Sequence, residues 1–263
     1  MSLVLDPVPA SGAPLARRNP VAKLGAALLF TLPLMVTLDP VTPAIALAVE
    51  LAALPFFGVR PALLARRAWP LLLAAAGVLV SMLLFAADRG GESLLSIGPL
   101  DVTTGVLSSA TGLILRIFAV ALPGIVVFAT TDPTDLADAL VQNAHAPERF
   151  AIGALAAFRL LPLLGQEWRT LALARRARGI DTGWNPAAFA STAFALLVGA
   201  LRRGVRLAVA MDARGFDSGV ARTHARVQRF TRADTALIVV AGLLPASILA
   251  VTITLGLFRP VIG

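Results

Sequence analysis

Residues 68–87 read AWPLLLAAAGVLVSMLLFAA and contain no charged side chain. A helix needs about 20 mostly apolar residues to cross the hydrocarbon core of a bilayer, because each residue adds about 1.5 Å. This stretch therefore predicts a transmembrane helix. The whole composition agrees, since 57% of the 263 residues are hydrophobic and 14% are charged, whereas soluble domains have roughly 25% charged residues.

Further apolar stretches of similar length lie on both sides of this one. They cover residues 20–38, 41–57, 106–130 and 235–258, so the sequence predicts about five transmembrane helices. Residues 1–19 contain several prolines and no long apolar run, and we expect no cleaved signal peptide there. The predicted organisation is a cytoplasmic N-terminal segment, four transmembrane helices, a separate region and a last transmembrane helix with the C-terminus: 1–19, 20–130, 131–233 and 234–263.

The basic residues indicate the orientation in the membrane. The leader and the start of the first predicted helix carry Arg17, Arg18 and Lys23, and the connection before the third helix carries Arg60, Arg66 and Arg67. The loop 88–105, between the third and fourth helices, carries mainly acidic residues. Because cytoplasmic loops are enriched in Lys and Arg, the N-terminus is predicted to be cytoplasmic. The same enrichment explains the net charge of +8 by contact with lipid headgroups, without a nucleic-acid partner.

The region 131–233 is apolar enough to pack but contains Arg every few residues. Helix-start signals occur at Thr131-Asp-Pro, at Pro147-Glu148 and at Asn185-Pro186. We interpret the region as about three helices at or beneath the cytoplasmic membrane surface. Residues 186–201 carry no charge, and their entry into the bilayer is left open.

One segment of this region occurs twice. Residues 171–183 read LALARRARGIDTG and residues 207–219 read LAVAMDARGFDSG. Each copy contains Ala-Arg-Gly, in which Gly is a favoured helix stop and Arg complements the negative end of the helix dipole. Capping alone does not require the matching upstream Ala and downstream Asp. The repeat therefore predicts two similar helix tips that dock on a partner with two similar sockets.

The chain resembles a known family, the transmembrane (T) component of energy-coupling factor transporters, of the EcfT/CbiQ type. Besides the two Ala-Arg-Gly motifs, the resemblance rests on the following stretches: Asn19-Pro20-Val-Ala-Lys23, Thr130-Thr-Asp-Pro-Thr-Asp-Leu136, and Arg159-Leu-Leu-Pro162 followed by Glu167. It implies an all-α polytopic protein of the bacterial cell membrane with about five transmembrane helices. About three long cytoplasmic coupling helices would be inserted before the last of these.

The resemblance also implies partners and docking residues. The partners would be two ABC-type ATPase subunits, identical or different, and a substrate-binding membrane (S) component that takes up a vitamin, a vitamin precursor or a transition-metal ion. The ATPase-docking residues would be Ala177, Arg178, Gly179, Ala213, Arg214 and Gly215. The family often has Glu where Asp212 stands and commonly a Gln near Arg175 and Arg176, so these neighbours depart from its pattern.

The remaining polar residues give few signs of catalysis. The chain lacks a GxxxxGK[ST] motif, so we expect ATP to be hydrolysed by partners and no cofactor to be bound here. His145 and His224 are far apart in sequence and predict no metal site. Glu50 and Arg116 lie inside predicted transmembrane helices, where charge is costly, and a possible intramembrane pair would satisfy both.

Two other functions are alternatives to a T component. A conventional permease subunit that binds its own substrate would use Glu50 and Arg116. An intramembrane transferase would need clustered acidic residues to hold Mg²⁺ and a diphosphate, and the chain has no DDxxD-like group.

Overall fold

The computed structural model describes residues 14–37, 39–58, 61–85, 90–97, 100–179, 185–216 and 223–258. The elements follow one another as α1 (Pro20–Leu34), α2 (Val41–Phe57), α3 (Pro61–Phe85), β1 (Ser93–Ile97), β2 (Leu100–Thr103), α4 (Thr104–Ala129), α5 (Pro133–Ala144), α6 (Glu148–Ala177), α7 (Pro186–Ala213) and α8 (Arg232–Thr254). The predicted all-α polytopic architecture is confirmed, with α5, α6 and α7 placed before the last apolar helix.

The helix starts follow the predicted local chemistry. The Asp132 side chain accepts a hydrogen bond from the Thr134 N–H at 2.7 Å, and Pro133 is the first residue of α5. The Asn185 side chain likewise caps α7. Because a proline at the first helical position has no N–H to leave unpaired, these sequences begin helices at low cost.

Four of the described helices are long and apolar enough to cross a bilayer: residues 67–85 of α3, and all of α4, α6 and α8. The helices α1 and α2 are apolar but shorter, at 15 and 17 residues. The helix α6 meets the criterion at the lowest mean hydropathy of the four, 1.2 against 2.2 to 2.5. The sequence interpretation placed α6 outside the bilayer because of its arginines.

Part of the predicted loop 88–105 forms regular secondary structure. The strands β1 and β2 form an antiparallel hairpin, with Ser96 opposite Asp101. Thr103 ends the hairpin and caps α4, because its side chain accepts a hydrogen bond from the Val106 N–H at 3.3 Å. This small hairpin is the only sheet in the described residues.

The chain divides into two compact units. The first, called here the bundle unit, comprises residues 1–145 and 228–263. Within it α1 packs against α4, α5 and α8, while α2 packs against α4 and α8. Phe30, Leu34, Ala46, Ala119 and Ile248 form one apolar cluster of its core.

The second unit, Ala146–Val227, is called here the coupling unit and contains α6 and α7. It is shorter than the predicted region 131–233, because α5 packs on α1 and belongs to the bundle unit. The helices α6 and α7 have 30 and 28 residues but bury few side chains, namely those of Ala151, Ala188 and Thr192.

Candidate functional site

The first Ala-Arg-Gly motif forms the C-terminal end of α6. Ala177 is the last helical residue, Arg178 is the C-cap, and Gly179 adopts the left-handed conformation with φ 75°. The Gly179 N–H donates to the Arg176 carbonyl at 3.0 Å, which satisfies a carbonyl that the helix itself leaves open. An L-residue with a Cβ is strained at this φ, so the glycine determines where α6 stops.

The second motif ends α7 in the same way. Arg214 is the C-cap, and Gly215 has φ 73°. The Gly215 N–H donates to the Asp212 carbonyl at 2.9 Å, and the Phe216 N–H donates to the Met211 carbonyl at 3.1 Å. These two bonds form a Schellman cap. The sequence repeat is therefore also a structural repeat, as the glycine positions predicted.

All six motif residues are exposed in the coupling unit. Within the described part of the chain, neither the Arg178 nor the Arg214 guanidinium forms a hydrogen bond or an ion pair. Each arginine lies at the C-terminal end of its helix, where the helix dipole favours a cation. The arrangement leaves two exposed cations that are available to an external anion or carboxylate.

Three interactions that involve side chains are seen between α6 and α7 in the described part of the chain. The rings of Trp168 and Phe189 have centroids 5.0 Å apart and are tilted by 57°. Arg203 donates to the carboxylate of Glu167, and this hydrogen bond raises the pKa of the Arg203 guanidinium. Arg175 donates to the Ala188 carbonyl at 3.4 Å. The last contact places the C-terminal end of α6 near the beginning of α7.

This packing separates the two arginine tips. Arg178 follows Arg175 by one helical turn, so it lies near Ala188 at the start of α7. Arg214 lies 26 positions (214 − 188) further along α7, which has no internal proline, and at about 1.5 Å per residue that is about 39 Å along the axis. Allowing for the reach of the Arg175 side chain, the two arginine Cα atoms are at least about 20 Å apart. Two tips at this spacing require two separate sockets.

The predicted pairing of Glu50 with Arg116 is not formed. Arg116 of α4 donates to the Met35 carbonyl at the end of α1, whereas neither carboxylate oxygen of Glu50 has a hydrogen-bond partner. The physical reason is depth: the chain turns from α1 into α2 near Met35, and Glu50 lies about 13 Å further along α2, nine residues after its start at Val41. Glu50 instead lines an apolar cavity of about 200 Å³ in the bundle unit, which Lys23 also lines.

The stretches around Asn19 and Thr130 are part of the family resemblance, but the sequence assigned no role to them. In the structure they meet, because the buried Lys23 Nζ donates to the Thr130 carbonyl at 2.9 Å. Asn19 is also buried and bonds to Asn143 and Asp234. Nothing local in the sequence singled out Asn143 or Asp234, since their partners lie 124 and 215 positions away.

The comparisons with known proteins agree with this architecture. Residues 11–225 match the family model of CbiQ, described as a cobalt transport protein. Similar curated proteins include the energy-coupling factor transporter transmembrane protein EcfT of Listeria innocua, 29% identical over 62% of this chain and 66% of that protein. The EcfT of Leuconostoc gelidum is 32% identical over 55% of this chain and 59% of that protein.

A third relative is of a different kind. A putative ABC transporter ATP-binding protein of Bifidobacterium longum is 27% identical over 88% of this chain, but the match covers only 31% of that protein. The chain thus spans about a third of this relative and about six tenths to two thirds of the EcfT proteins. The family match covers most of the chain, from the segment before α1 to the end of the coupling unit. The chain therefore belongs to the EcfT/CbiQ family of transmembrane components of energy-coupling factor transporters.

Proposed function

We propose that this chain is the coupling subunit of an ATP-driven importer in a bacterial cell membrane, with its N-terminus in the cytoplasm. In this proposal two ABC-type ATPases bind the tips of α6 and α7, and their movement passes through the coupling unit to a separate substrate-binding membrane component. The transported compound would be a vitamin, a vitamin precursor or a transition-metal ion. The chain itself would perform no covalent chemistry.

The observation that supports this function best is the matched pair of exposed helix ends. Each presents an exposed arginine on a glycine-capped end, Arg178 on α6 and Arg214 on α7. A dimeric ATPase has two equivalent surfaces, and two equivalent cations at least about 20 Å apart fit two such surfaces better than a single groove. An arginine that enters an acidic socket forms charge-assisted hydrogen bonds, which are stronger than those between neutral groups.

The relatives support the same partner class. The Bifidobacterium longum protein is named as an ATP-binding protein, and it contains a region similar to most of this chain. An association between this type of membrane region and an ATPase is therefore already present within one relative's chain. The EcfT relatives are named as transmembrane proteins of energy-coupling factor transporters.

The test is the affinity of the chain, in lipid nanodiscs, for the purified ABC-type ATPase pair from the same organism. We expect the double variant Arg178→Ala, Arg214→Ala to bind at least about 30-fold more weakly, because each acidic socket would lose its cation. The matched control is Arg169→Ala, Arg202→Ala, which removes the same charge from exposed positions before the two helix ends. Wild-type affinity in the first double variant would refute the docking assignment. Equal losses of affinity in the two double variants would show that the arginines act only through the general charge of the chain.

A further inference from the structure

The chain passes between the bundle unit and the coupling unit twice, after His145 and after Val227. The residues beside these crossings are polar. Gln142 and Asn143 lie in the last turn of α5, directly before the first crossing. Gln228 is the first residue after the second crossing. Two segments that are 85 positions apart in sequence therefore have an opportunity to bond within the bundle unit.

The backbone of Gln228 is held on both sides by α5. Its N–H donates to Gln142 Oε1 at 2.8 Å. Its carbonyl accepts from Asn143 Nδ2 at 3.3 Å. Residues 227–231 have no regular secondary structure, so these side chains replace the ladder bonds that a helix or strand would supply. The two crossings are thereby tied together where they leave the bundle unit.

This tie is anchored in the core of the bundle unit through Asn19. Asn19 Nδ2 donates to Asn143 Oδ1 at 2.9 Å, and the Asn19 N–H donates to Asp234 Oδ1 at 3.0 Å. Asn19 also caps α1, by accepting from the Val21 N–H at 2.9 Å. Asp234 belongs to the capping box at the start of α8. Asn19 and Asp234 are only 4% and 2% exposed, so water competes little for these bonds.

We propose that these five residues, Asn19, Gln142, Asn143, Gln228 and Asp234, form a junction clamp through which movement of the coupling unit enters the transmembrane bundle. The proposal rests on the proposed function, because it names the positioning residues of that coupling. With the clamp closed, both crossings move together with the starts of α1 and α8. Without it, the segment 223–231, which has no helix or strand of its own, absorbs the movement by local opening.

The chain offers a matched pair of variants for a test. The double variant Gln142→Ala, Asn143→Ala removes both side chains that hold the Gln228 backbone. The control variant Gln228→Ala removes a side chain of the same type but keeps the backbone N–H and carbonyl that the clamp uses. Among the described residues, the Gln228 side chain has one polar contact, to Asp135 at 3.5 Å.

The readout is the distribution of distances between two spin labels, measured by pulsed electron resonance on the full chain in nanodiscs. One label is placed in each unit, at the exposed positions Leu107 and Leu197. The chain contains no natural cysteine, so Leu107→Cys and Leu197→Cys label uniquely. We expect the double variant to broaden the distribution at least about twofold, since the loss of three bonds of the clamp loosens the second crossing, and the control to leave it unchanged.

A network that only stabilises the fold would lower the unfolding temperature without changing this width. Equal widths in wild type and double variant would therefore overturn the proposal. If the double variant does not fold, Gln142→Ala alone, which keeps the bond between Asn19 and Asn143, must broaden the distribution or the proposal fails.

A second measurement adds the ATPase pair and ATP. Wild type and Gln228→Ala should show the same ATP-dependent change in the label distance, and the double variant should show a smaller one. Because the width is measured without the ATPases, a failure of the clamp can be told apart from a failure of the coupling function.

Discussion

At the scale of single residues, glycine and arginine have different roles at each helix tip. Gly179 supplies the left-handed φ of 75° that ends α6, and Arg178 supplies the exposed cation. A residue with a Cβ can occupy the glycine position only with strain, although there is open space around it. The position of Arg178 at the end of α6 therefore depends on Gly179, which stops the helix.

A substitution at Gly179 tests this division. Gly179→Ala should destabilise the coupling unit by about 1 kcal/mol through backbone strain alone, because nothing lies within 4 Å of the added Cβ. Gly153→Ala is the control, since Gly153 is helical with equally open space, and there alanine should stabilise by about 0.5–1 kcal/mol. Denaturant unfolding in detergent measures both. Equal effects of the two substitutions would contradict the left-handed cap.

At the scale of elements, α6 and α7 are long helices with a small mutual interface. Many of their large apolar side chains are exposed in this chain, including Phe150, Leu173, Phe194 and Val209. The ring contact between Trp168 and Phe189 is the one aromatic pair in the described residues. We therefore assign to it a large share of the packing between these helices.

A double-mutant cycle on Trp168→Ala and Phe189→Ala measures that share. We expect a coupling energy of about 0.5–1.5 kcal/mol, the usual range for a tilted aromatic pair. The cycle of Trp168→Ala with Phe194→Ala is the control, because Phe194 is exposed on the same helix and has no ring contact among the described residues. Its coupling energy should be close to zero. Similar values in both cycles would show that the ring contact is not specific.

At the scale of the whole molecule, burial is distributed unequally between the two units. The bundle unit contains nearly all of the fully buried side chains, such as Ala22, Leu34 and Ala119. The coupling unit has few buried side chains. Elements with few buried contacts open locally at lower free energy, so the two units should differ in amide protection.

Hydrogen exchange of the chain in nanodiscs tests this difference and the proposed partner together. We expect amides of α6 and α7 to exchange faster than those of α1 and α4. Adding the ATPase pair should then slow exchange in residues 176–179 and 211–215 and leave the beginning of α6 unchanged, because the proposed docking surface covers only the helix ends. Unchanged exchange at both helix ends would contradict the docking surface.

Much of this architecture follows from short-range signals. The apolar stretches predicted α1, α2, α4 and α8 to within a few residues, and α3 apart from its early start at Pro61. Asn and Asp followed by Pro predicted the starts of α7 and α5, and glycine predicted the ends of α6 and α7. Each of these signals depends on residues within one or two helical turns, and their chemistry is visible in the sequence itself.

The pairing of polar groups could be decided only by the tertiary structure. Charged residues inside two apolar stretches predicted a pair between Glu50 and Arg116, but packing placed Arg116 beside the end of α1. Asn19 instead finds its partners on α5 and α8, more than a hundred positions away. The sequence by itself determined where helices form and which of their ends carry a cation. Which buried groups meet depended on how α1, α5 and α8 pack, because a hydrogen bond requires its two atoms within about 3.5 Å and sequence spacing sets no such distance.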